Sequence, residues 1–282
     1  MKVLVYGNCQ ARPIGHFLNQ AAPDYEIIEV PAVHTINRNN LDVLYEKFEA
    51  ADVVLSQPIG NGFGDISTDN LQKKFSRTDW FFFPSIYFGG HFPYLQYLRK
   101  ENGTLLGPLK EYHDKRIVKG FLGQLSTETC LNLLLEKNTS YCEEFRKKSI
   151  EESIRRESSL DIKVMDKVLE LEKHERVFHT FNHPSNKILW EVVIQFLKIF
   201  GRAPIEGSRP YITQFLDNVS ASITADVVDV AALYYAPQPY SVDRSEIDLL
   251  ELIIQSYEIY GSVDGFIDIC KRNGFSQSLD YC

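Results

Sequence analysis

The sequence predicts an α/β fold: a mostly parallel central sheet with helices on both faces, plus a sizeable helical portion. Three observations carry that prediction. Short apolar runs recur through the first hundred residues, helix-spaced apolar residues separate them, and the runs are apolar throughout rather than alternating with polar residues. A strand covered on both faces needs apolar side chains in both directions, which is the pattern of a parallel sheet with crossover helices.

The first run, Lys2 to Tyr6, meets a turn at Gly7-Asn8-Cys9-Gln10 and then Ile14, Phe17, Leu18 and Ala21 at helical spacing. Glu26 to Val30 is a second strand, followed by the helical set Leu41, Leu44, Tyr45 and Phe48. Asp52 to Leu55 and Trp80 to Phe83 are the third and fourth, ending at Ser56-Gln57-Pro58 and Pro84-Ser85. From about Leu95 the pattern turns helical, with Leu122, Leu125, Leu131 and Leu134 as core positions and Glu143 to Ser158 as a solvated helix. A fifth strand, Arg176 to Phe181, leads through Asn182-His183-Pro184-Ser185 into a helix carrying Leu189, Val192, Val193, Phe196 and Leu197. Beyond Gly201 a Pro-punctuated segment precedes a helix from Ser245 to Tyr260. Without an internal repeat, a low-complexity tract or a Gly/Ser linker, the chain reads as one α/β domain over 1–282, with a helical insertion around 95–175 and a helical C-terminal region, 201–282.

A chain of 282 residues can bury a sizeable core without staples. Its 30 Lys and Arg against 38 Asp and Glu leave a formal charge of −8, the wrong sign for a protein whose main partner is nucleic acid. Aromatic content of 12% excludes a disordered chain. The apolar run after Met1 is too short for a signal peptide, and no stretch is long enough to span a membrane. The five cysteines are odd in number and scattered, without the paired spacings of a metal site or disulfide framework. The expectation is a reducing, cytoplasmic setting and no metal.

Gly7-Asn8-Cys9-Gln10 is the most informative turn. Gly7 permits a tight bend and Pro13 suits the first turn of a helix. A cysteine at a helix N-terminus meets unpaired N–H groups and the positive end of the dipole, which favour thiolate over thiol. Cys9 is therefore the candidate nucleophile, ahead of Cys130, Cys142, Cys270 and Cys282. A thiol nucleophile wants a base. His183 and His91 follow predicted strands and are expected at the carboxyl edge, where open α/β sheets bind ligands, whereas His16 and His174 read as packing or surface residues. Ser56, Gln57, Ser85 and Tyr87 complete a polar ring, with Asn8, Gln10 and Arg12 beside the cysteine. Gly60 to Gly64 lacks the Lys-Ser/Thr of a phosphate-binding loop and reads as a turn. Lys110, His113, Lys115, Arg116 and Lys119 form the most basic short stretch, open to two readings, a contact with phosphate or a solvated helix face.

Four blocks in this order resemble the WcbI-like family of polysaccharide-biosynthesis proteins: Met1 to Arg12, Ser56-Gln57, Phe82 to Phe88 with His91, and Phe181 to Pro184. The likeness runs from residue 1 to about residue 200. It implies acetyl transfer from coenzyme A to bacterial capsule sugars. Cys9, His183 and His91 would then be catalytic, and Gly7, Asn8, Gln10, Arg12, Ser56, Gln57, Ser85, Tyr87, Lys115 and Arg116 would lie against coenzyme A or acetyl-CoA. The implied partners are a small-molecule acyl donor and a sugar, nucleotide-sugar or polysaccharide acceptor. A looser likeness is to the SGNH esterases, with cysteine in place of serine. Their late acid has no counterpart, since Thr180 and Phe181 stand there and Asn182 is the nearest polar substitute. Covalent transfer through Cys9 and direct transfer by a histidine base both fit. So do two alternatives, a thiol-dependent esterase or thioesterase and a non-catalytic carbohydrate-binding protein of a polysaccharide assembly.

Overall fold

Four of the apolar runs become β1 (Lys2–Tyr6), β2 (Glu26–Ile28), β3 (Val53–Ser56) and β4 (Asp79–Phe82), hydrogen-bonded in the order β2-β1-β3-β4 with every pair parallel. β3 and all of β1 but Lys2 are buried, whereas β2 and β4 stay partly exposed, as central and edge strands should. The register ends three strands together: Tyr6 pairs with Ser56, and Ser56 with Phe82. The turns after β1, β3 and β4 therefore leave the sheet at one carboxyl edge. The structure, a computed structural model, describes residues 1–275, so Cys282 lies outside the described residues.

Crossover helices cover the sheet. Leu4, Tyr6 and Val54 point to one face and meet Leu44 and Phe48 of α2 (Asp42–Glu49) and Leu71 of α3 (Thr68–Lys74). Burying each such side chain contributes roughly 1.5–3 kcal/mol. α1 (Ala11–Ala21) runs between β1 and β2, and a Cβ at its Gly15 would lie 3.3 Å from Ile27 Cγ2, so the small residue sets how closely helix and sheet approach.

The chain divides into two compact units. The first contains Met1–Tyr87, Ile150–Glu172 and Asn182–Phe215; the second contains Phe88–Ser149, Lys173–Phe181 and the chain from Leu216 onward. Their boundaries do not follow the segments 95–175 and 201–282. After β4 come β5 (Leu95–Tyr97) and β6 (Tyr112–Asp114), an antiparallel pair, then α4 (Lys115–Leu122), α5 (Thr127–Leu135), α6 (Thr139–Glu157) and α7 (Met165–Leu171). β7 (Phe178–Thr180) and β8 (His183–Pro184) precede α8 (Asn186–Ile199), which packs on α1 in the first unit. β9 (Val219–Ser220), α9 (Ala225–Ala231), β10 (Ser241–Val242), β11 (Ser245–Glu246), α10 (Leu249–Ser262) and α11 (Phe266–Arg272) complete the described chain. In the second unit α4, α5 and α10 pack together, and β9, β10 and β11 form a small antiparallel sheet.

Several expectations need correction. The region after Leu95 opens with two strands, not helix. The run Arg176 to Phe181 supplies β7, but β7 belongs to the second unit, where the His179 carbonyl accepts from Ala221 N–H at 2.7 Å; it is not a strand of the parallel sheet. An apolar run signals burial without naming its partner. Of Leu122, Leu125, Leu131 and Leu134, only Leu134 is fully buried. The last long helix begins at Leu249 rather than Ser245, because the Asp248 carboxylate caps it, accepting from the N–H groups of Leu250 and Glu251 at 2.8 and 3.1 Å.

Candidate functional site

Cys9 sits between β1 and α1 in a turn built almost entirely from amides. Asn8 Oδ1 accepts from Gln10 N–H at 2.9 Å, an Asx turn with Cys9 at its middle. The Asn8 N–H donates to Gln57 Oε1 at 2.9 Å. Gln10 is fully buried and fully engaged: its Nε2 donates to the carbonyls of Ile86 and Asn182, each at 2.8 Å, and its Oε1 accepts from Ile86 N–H at 3.1 Å and Gln57 Nε2 at 2.8 Å. Both amide hydrogens and both acceptor positions are thus used. Gly7 makes the arrangement possible, since a Cβ there would lie 2.6 Å from Gln57 Oε1.

The network ties three loops of the first unit to the turn: the one after β3 through Gln57, the one after β4 through Ile86, and the segment Asn182-His183 through the Asn182 carbonyl. Cys9 and His183 are both half-buried in that unit. At its surface, Asn8 Nδ2 donates to Ser85 Oγ at 3.3 Å, and Ser85, Tyr87 and Arg12 are exposed. The arrangement offers a partly accessible thiol, a histidine and neutral hydrogen-bond donors. The backbone N–H groups of Asn8, Gln10 and Ala11 are spent on Gln57, Asn8 Oδ1 and the Asn8 carbonyl, while the Asn8 side-chain amide and the Ser85 hydroxyl stand at the exposed side of the turn.

Other candidate residues are buried or packed against neighbouring rings. His91 belongs to the second unit and is 0% exposed, packed edge-on to Phe88 and Phe92 at 5.2 and 6.0 Å. His91 is thus packed among aromatic rings, with its Nδ1 buried. Ser56 is likewise buried, its hydroxyl donating to the Gln57 carbonyl at 2.7 Å. The side chains of Gln10, Gln57 and Ser56 hydrogen-bond within the turn and the loop after β3. His16 stacks on Phe215 at 5.6 Å, and the ring of His174 lies 5.1 Å from that of Tyr234. The segment Asn61–Ile66 is a short 3-10 turn.

The basic stretch is not a solvated face. Asp114 caps α4 and is wholly buried with Arg116, whose Nη2 lies 2.7 Å from Asp114 Oδ2 and whose Nη1 donates to the Leu134 carbonyl at 2.9 Å. Burial would raise the Asp114 carboxyl, but the Arg116 charge and the hydrogen bonds of Arg116 and Tyr240 outweigh it and hold the group below the usual range. Arg116 is thus a buried, paired cation that also borders a cavity of the second unit. His113 is also buried, its Nδ1 2.8 Å from Tyr260 Oη. Lys115 and Lys119 line a cavity of the second unit. Cys130, Cys142 and Cys270 are buried, and burial raises each thiol, to about 12 for Cys142 and Cys270. Among the described residues no group of three or more His, Cys, Asp or Glu side chains could hold a metal, and no helix is long and apolar enough to cross a membrane.

Sequence reasoning missed Arg156, whose guanidinium lies 5.5 Å from the centre of the Tyr87 ring in the first unit. It is hidden in a helix so rich in Arg, Lys and Glu that no single cation stands out. The bracing role of Gln10 and Gln57 was equally hidden, because two amides forty-seven positions apart look like surface residues.

No curated protein matches the chain. A solved structure that shares the fold is described as WcbI, a novel polysaccharide biosynthesis enzyme, the native protein without a disulfide bond between coenzyme A and one of its cysteines. It is 20% identical, with a TM-score of 0.82 over 96% of this chain and 92% of that one. The family model described as polysaccharide biosynthesis enzyme WcbI matches residues 2–204, which include the Cys9 turn and His183. On that match, which takes in well over half of its length, the protein belongs to the WcbI family of polysaccharide biosynthesis enzymes.

Proposed function

We propose that the protein transfers an acetyl group from coenzyme A to a sugar hydroxyl during synthesis of a bacterial capsule or related surface polysaccharide, in the cytoplasm. The observation that carries the reading is the half-buried Cys9 in a turn braced by Gln10 and Gln57, one hydrogen bond from the segment holding His183. Coenzyme A enters because the family neighbour is described with it. The donor set suits the thioester end: a thiol, a histidine, and the neutral donors Asn8 Nδ2 and Ser85 Oγ. Arg12, exposed in the first turn of α1, and Arg156, over the Tyr87 ring and paired with Glu152, are first-unit cations.

Cys9 attacks the thioester carbonyl with His183 taking the thiol proton. The carbon–sulfur bond to coenzyme A breaks, and His183 returns the proton to the departing thiolate. The acceptor hydroxyl then attacks the acyl-Cys9, His183 removing its proton and passing it to the Cys9 sulfur as the ester leaves. Asn8 and Ser85 stabilise the oxyanion in both steps.

Turnover of acetyl-CoA with and without candidate sugars tests the reading. Acceptor-dependent release of coenzyme A supports it, while equal release without any sugar assigns a thioesterase. Cys9→Ala and His183→Ala should each lose several orders of magnitude in rate with the fold intact. The double variant should lose little more, because residues acting as one unit are not additive. Near-normal turnover in Cys9→Ala overturns the covalent mechanism.

A further inference from the structure

The sheet order β2-β1-β3-β4 reverses between β1 and β3, because the chain leaves β1 toward β2 and leaves β3 toward β4. The loops diverge there, and such a switch point is where open α/β sheets bind ligands. The Cys9 turn stands on one side of it. On the other stands the loop after β3 with its Gly60–Gly64 segment, which has no part in the proposed acyl transfer.

A side chain from a third loop of the same unit spans the two. The loop after β2 is tied to the Cys9 turn where Val33 N–H donates to the Gly7 carbonyl at 2.9 Å. Farther along that loop, the Arg38 guanidinium lies 5.2 Å from the centre of the Phe63 ring, which belongs to the loop after β3. Since β1 runs between β2 and β3, this contact crosses the carboxyl end of β1. Burial raises the Tyr6 hydroxyl at that end, and the Arg38 charge acts against the rise. Phe63 is itself anchored, packed on the core cluster that contains Tyr6 and Ile66.

Arg38 is exposed, and among the described residues its side chain makes no ion pair and no hydrogen bond. The ring contact therefore holds the guanidinium in place while leaving its N–H donors unspent. Gly62 and Gly64 flank Phe63, and a Cβ added at either would meet nothing within 4 Å, so the space beside the ring is open. A guanidinium presents its N–H groups as a fixed fork, which matches the paired oxygens of a phosphate. We propose that Arg38, presented by Phe63 at the switch point, binds a phosphate group of the substrate that reacts at Cys9. Two substrates of the proposed reaction carry that group, coenzyme A and a nucleotide-activated sugar. The anion contact is read from the three loops; only the choice between these sources rests on the acyl-transfer reading.

Calorimetry on the full chain with coenzyme A, ADP and UDP as probes tests the proposal. Saturable heat is expected from at least one, and Arg38→Met should weaken it tenfold or more. Lys198→Met makes the same change of charge at the exposed far end of α8 and should leave the affinity unchanged. A loss for coenzyme A, with or without ADP, assigns the acyl donor; a loss for UDP alone assigns the acceptor; a loss for all three assigns the diphosphate that they share. No saturable heat with any probe overturns the proposal, as does an affinity that Arg38→Met leaves unchanged or that Lys198→Met lowers equally. If acetyl-CoA turnover requires Cys9 while Arg38→Met binds every probe as the parent chain does, the phosphate contact fails and the acyl-transfer reading stands. Loss of binding in Arg38→Met beside normal turnover in Cys9→Ala has the reverse meaning.

Discussion

The starts of α1 and α4 are both held by buried polar side chains, one with neutral amides and the other with a charge pair. At α1, Gln10 and Gln57 satisfy one another and five backbone groups, and nothing in that exchange carries charge or titrates. At α4, Asp114 and Arg116 leave water together, and their attraction offsets a desolvation cost only while both remain ionised. The difference teaches how a rigid support can be matched to its neighbourhood. An amide brace fixes the Cys9 turn without imposing a local charge, whereas an ion pair stands at a cavity lined with cations.

The contrast between the two units is largest at their cysteines. Iodoacetamide should label Cys9 far ahead of Cys130, Cys142 and Cys270, whose thiols are buried; at about 12, Cys142 and Cys270 hold roughly three orders of magnitude less thiolate than an ordinary thiol. Peptide mapping after brief labelling reads the order, and modification of any buried cysteine at the rate of Cys9 breaks the comparison. Next in size is Arg116→Met, which strands the Asp114 carboxylate and should cost roughly 3–5 kcal/mol in denaturant unfolding. Replacing both partners, Asp114→Leu with Arg116→Met, should recover much of that loss.

Gln10→Leu sharpens the neutral side of the comparison. It leaves Ile86 and Asn182 backbone groups without their side-chain partner and should cost roughly 2 kcal/mol, with a stability loss that does not vary with pH. A pH-dependent loss would show that the brace is not the neutral device described. The smallest effect lies in the pH profile of the charged side. The folded Asp114 carboxyl is held low, so its contribution is complete above the unfolded value of about 3.9 and is lost as pH falls through the folded one; Asp114→Asn should flatten that acid limb. Glu157 behaves oppositely, since burial raises it despite hydrogen bonds from Val164 and Met165 N–H. Its contribution is therefore lost as pH rises from the ordinary Glu range of about 4.3 through the higher folded value, and Glu157→Gln should remove that slope.

The first four strands were legible because each is a local apolar run, and the buried central pair shows why their pattern does not alternate. The position of Cys9 at a strand-to-helix turn was legible for the same reason. What failed was everything set by long-range pairing. The run around Phe178 showed burial but not which strands would receive it, and Gly89-Gly90-His91 has the composition of an open loop although Phe88 and Phe92 enclose the histidine. Arg116 passed for a surface cation because its neighbours are basic. The Asp114 two residues before it, placed to cap the coming helix, was the available signal.

The absence of a side chain at Gly7 has a consequence for anyone who wishes to move the Cys9 turn onto another scaffold. The opening twelve residues are not portable by themselves. Their conformation is completed by Gln57, which occupies the space a Cβ would fill, and by backbone groups at Ile86 and Asn182 that arrive from two other loops. A working graft must carry the glycine, both glutamines and the heights of three loops as one part. A library that varies position 7, 10 or 57 singly will mostly sample broken versions of it, and only joint variation will find alternatives.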